Sequence, residues 1–94
     1  LPILESRSTS SWAQYTVRLD NRDEVQKKMF AAGIQTVIHY PVPLYRQPAL
    51  LHSTTNYPNT EEATQKVMSL PMHPYLSYSA QERIAETLIA ALYE

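Results

Sequence analysis

Cysteine is absent from these 94 residues, so neither a disulfide framework nor a thiolate metal site can form. That absence fits a reducing cytosol. Glycine occurs once, at Gly33, beside seven prolines. A glycine-rich loop that brings backbone N–H groups close to a phosphate is therefore excluded from this stretch. Lysine is restricted to Lys27, Lys28 and Lys66. Charge of one sign is also lacking: the net charge is −1, without the basic excess that nucleic-acid binders carry. No apolar run approaches the roughly 20 residues that span a bilayer, and the opening residues do not read as a secretory leader.

What remains is an ordinary globular balance, 44% hydrophobic and 18% charged, enough for one small core. The chain opens on Leu1 rather than methionine, which suggests a segment of something longer. Residues 1–10 end in serine and threonine and read as a linker from an absent upstream domain.

From residue 11 the pattern sharpens. Ala13, Tyr15, Val17 and Leu19 alternate with Gln14, Thr16 and Arg18, the period of a half-buried strand. Trp12 falls on the otherwise polar face. Asp20 or Asn21 can cap a helix, with Asp23 and Glu24 set against its dipole. Val25, Met29 and Ala32 form its apolar stripe, Phe30 lies beside it, and Gly33 supplies the left-handed stop. Residues 34–40 (IQTVIHY) read as a second strand. Residues 41–48 (PVPLYRQP) hold three prolines and make a rigid loop.

Residues 51–59 read as loop. A short helix is expected over 61–68, capped by Thr60, with Glu61 and Glu62 in its first turn. Residues 68–76 (MSLPMHPYL) suggest a short strand or extended passage. Ser79 to Glu82 form a capping box for a last helix carrying Ile84, Leu88, Ala91 and Leu92 on one stripe. The expected fold is α+β: a small sheet of about three strands flanked by helices.

The catalytic inventory is thin. Lys27 and Lys28 fall off the apolar stripe of their helix, and Lys66 has the same solvent-facing look, so none is expected to form a Schiff base. His39, His52 and His73 match no metal-ligand spacing, and no strained nucleophile turn is evident. One stretch stands out, His39-Tyr40-Pro41-Val42-Pro43-Leu44-Tyr45-Arg46-Gln47-Pro48. An imidazole, two phenols, a guanidinium and an amide on a proline-stiffened loop suit a sugar or a phosphate. The alternative is that Tyr40 and Tyr45 are core aromatics and Arg46 is solvated.

Taken together, WAQYTVRLDNRDEV, GIQTVIHYPVPLYRQPAL and VMSLPMHPYLS followed by SAQERI resemble the C-terminal part of the DegT/DnrJ/EryC1/StrS sugar aminotransferases. The resemblance covers about residues 11–93 and keeps the order of all three motifs. It implies that residues 11–94 are the small domain of a fold-type-I enzyme dependent on pyridoxal phosphate, which an absent large domain would hold on a lysine. It further implies a cytoplasmic homodimer that passes an amino group, usually from glutamate, to a nucleotide-linked keto-sugar, in surface-polysaccharide or amino-sugar biosynthesis. No nucleic acid or membrane is involved, and this segment alone would be inactive.

By the same resemblance His39 and Tyr40 would position the substrate, with Tyr45 and Arg46 on the loop beside them. Tyr45 stands where the family often has histidine, and Leu50 where an aromatic is common. Trp12, Tyr15 and Ser69-Leu70-Pro71 read as packing. Two other roles fit the residues: a free-standing α/β small-molecule-binding module, or an interaction module anchored by the aromatic loop.

Overall fold

A computed structural model describes residues 1–50 and 56–94. Strand β1 (Tyr15–Arg18) pairs antiparallel with β2 (Val67–Leu70), Tyr15 facing Leu70 and Val17 facing Met68. Helices α1 (Arg22–Ala31), α2 (Pro58–Lys66) and α3 (Tyr78–Tyr93) complete the regular structure, and α1 lies against α3. Two single 3₁₀ turns, Leu44–Arg46 and Pro48–Leu50, shape the proline loop.

The core sits between one sheet face and the α1–α3 pair. Val25, Met29 and Met68 are wholly buried, joined by Val17, Ile34, Leu88 and Ala91. Burying side chains of this size contributes about 1.5–3 kcal/mol each. The stripes of α1 and α3 therefore face inward as their spacing predicts, except that Ala32 is exposed. The helix stops there: the Ala32 N–H bonds the Lys28 carbonyl, and Gly33 turns the chain at φ +78°.

Expectation and structure part in three places. The strand expected over 34–40 is reduced to one bridge, Val37 with Ser69, on the outer edge of β2. In that register the next rung would set Gln35 opposite Pro71, which lacks the N–H a longer ladder would need. The sheet thus has two strands and a single rung of a third. The helix expected over 61–68 starts earlier, with Pro58 in its first turn, and runs without a loop into β2. The last helix is capped by Ser77, whose hydroxyl accepts from the Ala80 N–H at 3.2 Å, and not by the Ser79 box. Of the loop expected over 51–59, residues 51–55 lie outside the described residues, with His52 among them, and Pro58 and Asn59 are helical.

Buried Arg22 locks α2 to this core, donating from Nη1 to the Thr64 carbonyl at 3.0 Å and the Val67 carbonyl at 3.1 Å. Both sit at the carbonyl-rich end of α2, where a cation is favoured. Leu19 N–H donates to the Lys66 carbonyl at 2.9 Å beside it.

Met29→Ala should lower the free energy of unfolding by about 2–5 kcal/mol, read from urea denaturation, because a wholly buried side chain leaves a cavity.

Candidate functional site

Cross-strand partners share a sheet face. Tyr15, Val17, Met68 and Leu70 point to the core, so Thr16 and Ser69 point the other way. Among the described residues, the polar side chains on that second face satisfy one another. Ser69 is 5% exposed, and its hydroxyl lies 2.9 Å from Thr16 Oγ1 and 3.5 Å from His39 Nδ1. The Val37–Ser69 bridge sets this geometry, with N···O distances of 2.7 and 3.1 Å. It places His39, two residues beyond Val37, on the same face.

After His39 the chain leaves the sheet and, with α2, encloses a cleft of about 390 Å³. His39, Tyr40 and Leu44 form one wall, Asn59, Ala63 and Thr64 the other. The His39 and Tyr40 rings meet edge to face at 5.3 Å across a cis peptide bond. Tyr40 is 69% exposed and so is not a core aromatic.

Tyr45 and Arg46 are committed elsewhere. The Tyr45 hydroxyl and the Arg46 Nε both donate to Glu61 Oε1, in the first turns of α2. Tyr57 meets Tyr45 edge to face at 5.0 Å, and the Arg46 guanidinium lies 5.7 Å from the Tyr45 ring centroid. The hydrogen bond from Tyr45, then that from Arg46, holds the Glu61 carboxyl below the usual carboxylate range, and Glu61 in turn raises the Arg46 guanidinium. This cluster fastens the proline loop to α2 and fixes the width of the cleft.

Of the four residues singled out in the sequence, His39 and Tyr40 come together at the cleft. Tyr45 and Arg46 form the clasp beside it. Thr16, Ser69 and Glu61 were missed. The one available signal for Ser69 was a hydroxyl in an apolar strand, VMSL, and Glu61 read only as a helix-dipole residue.

The residues present do not fit the holding of pyridoxal phosphate. A Schiff-base lysine has its ammonium destabilised. Lys66 is the reverse: Asp20 at 2.8 Å and Glu62 at 2.9 Å raise it above its ordinary value, and it is paired rather than merely solvated. Lys28 bonds Glu24 at 3.0 Å and the Ala91 carbonyl, and Lys27 is exposed. The one glycine faces the Arg83 guanidinium, not an anion cradle.

The depressed Glu61 carboxyl stabilises the fold above its unfolded value, and that contribution is lost as pH falls through the folded one. The stability difference between the native chain and Glu61→Gln should be largest near neutrality and shrink as urea titrations are repeated toward about pH 3.

This sheet-and-cleft arrangement has counterparts among known proteins. The family model for DegT/DnrJ/EryC1/StrS aminotransferases matches residues 1–89. The chain is 46% identical over 87 residues to the UDP-2-acetamido-2-deoxy-3-oxo-D-glucuronate aminotransferase of Pseudomonas aeruginosa, covering 93% of this chain and 24% of that protein. It superposes on a DegT/DnrJ/EryC1/StrS aminotransferase from Brucella abortus at TM-score 0.90 and 35% identity, covering 99% of this chain and 26% of that one. With DesV of S. venezuelae the TM-score is 0.93 at 30% identity, over 100% of this chain and 26% of that one. The chain thus spans about a quarter of the length of the relatives it matches. Members of this family depend on pyridoxal phosphate. Motif order, fold and family model agree: the chain belongs to the DegT/DnrJ/EryC1/StrS aminotransferase family.

Proposed function

We propose that residues 11–94 form the small C-terminal domain of a parent enzyme that transfers an amino group, from glutamate, to the keto group of a nucleotide-linked sugar. Residues 1–10 are then the connection to its large domain. The observation that carries this reading is the cleft walled by His39 and Tyr40, in a chain of this family. Relatives named for UDP- and dTDP-linked amino sugars support the substrate class.

Pyridoxal phosphate, bound by the large domain, supplies the electron sink. The residues of this chain supply position. His39 offers a hydrogen-bonding ring edge, the exposed Tyr40 ring an apolar face and a hydroxyl, and the Glu61 clasp holds the loop still while a sugar binds. Tyr45 and Arg46 serve the substrate through that clasp. The parent enzyme works as a cytoplasmic homodimer, with neither nucleic acid nor membrane as a partner.

The full-length protein should be yellow and should lose that colour when L-glutamate is added, whereas this segment alone should be colourless and inert. A full-length protein without a lysine-linked cofactor would overturn the reading. His39→Ala in the full-length enzyme should slow turnover or weaken sugar binding by about tenfold or more, with the thermal midpoint unchanged. A fall in stability with normal kinetics would make His39 structural instead.

A further inference from the structure

We infer that Ser69, backed by Thr16, is a positioning residue for His39: its hydroxyl holds Nδ1 so that Nε2 is the ring nitrogen offered to the cleft. The inference rests on the cleft reading given above.

Ser69 is the residue where the sheet converges. Its backbone bonds Val37 on one side, with N···O distances of 2.7 and 3.1 Å, and it stands opposite Thr16 on the other. A serine in a four-residue strand otherwise made of Val67, Met68 and Leu70 is poor packing material, and its hydroxyl is wrapped in protein at 5% exposure. Removed from water, such a group requires partners. It has Thr16 Oγ1 at 2.9 Å and His39 Nδ1 at 3.5 Å, and no buried side-chain polar atom among the described residues lacks a bond.

Two hydroxyls in series give this arrangement a property that a carbonyl or a carboxylate lacks. When Thr16 donates to Ser69, Ser69 can donate to a bare Nδ1. When Ser69 donates to Thr16, its oxygen accepts from a protonated Nδ1. Each hydroxyl is both donor and acceptor, so the pair rotates to suit. His39 is therefore held in one orientation whether its ring is neutral in either tautomer or protonated. The bond at one ring nitrogen decides what the other presents to a ligand. Both hydroxyls stand on strands locked by the β1–β2 register, so the aim of the ring is set by the sheet rather than by the loop that follows it.

Full-length holoenzyme labelled with ¹⁵N-histidine tests this directly, the His39 signals being identified by their loss in His39→Ala. Ser69→Ala should move the His39 Nδ1 resonance, leave the other histidines in place, and, like His39→Ala, slow turnover or weaken sugar binding by about tenfold. Ser69→Thr, which keeps the hydroxyl, should return both toward native values. Thr16→Val should shift the same resonance to a smaller extent, and it stands in for Ser69→Ala should that variant not fold. An unmoved Nδ1 resonance in the folded variants overturns the inference, even where activity falls, because the hydroxyls would then support only the fold. If His39→Ala leaves both turnover and affinity for a nucleotide-linked keto-sugar intact, the cleft reading fails, while the resonance still decides the role of Ser69.

Discussion

Everything in this fold depends on the pairing of two four-residue strands. A two-stranded ribbon is marginal in water by itself. Here it persists because one face is sealed by the α1–α3 pair, with Val25, Met29 and Met68 at the centre. The register that satisfies the core also lines up Thr16, Ser69 and His39 on the opposite face. A slip of one residue would turn Met68 outward and Ser69 into the apolar interior. Fold stability and site geometry are thus consequences of one alignment.

The molecule also leaves much of itself uncovered. Its accessible surface is 7329 Å², where a compact chain of this mass shows roughly 5,500 Å². Its radius of gyration is 15.4 Å, against about 12 Å for a compact domain of this length. Phe30, Val37, Tyr75 and Tyr78 are all more than half exposed. Exposed apolar surface of this extent marks contact surfaces on proteins, and the chain spans about a quarter of the length of the relatives it matches.

Much of the framework was legible in the sequence because it obeys local rules. The Val25/Met29 and Leu88/Ala91 spacings mark buried helix stripes, and Gly33 marks a stop. The family motifs directed attention to His39 and Tyr40. What stayed hidden was non-local. The strand expected around Val37 stops after one rung because the register sets Gln35 opposite Pro71, which has no N–H to give, and residue spacing does not encode that register. Glu61 looked like a dipole residue because its partners, Tyr45 and Arg46, lie 16 and 15 positions upstream. Ser69 looked like packing because its value lies in which sheet face it occupies. The last helix began two residues before its apparent box because Ser77 reached the free N–H first.

The direct passage from α2 into β2, pinned by Arg22, has a mechanical consequence. With no connecting residue between Lys66 and Val67, and one guanidinium gripping both sides of the junction, α2 has no hinge of its own. The far wall of the cleft is geared to the buried core. Any closure around a ligand must then be a swing of the whole unit, like a door on its frame, because the helix cannot bend down onto the ligand independently.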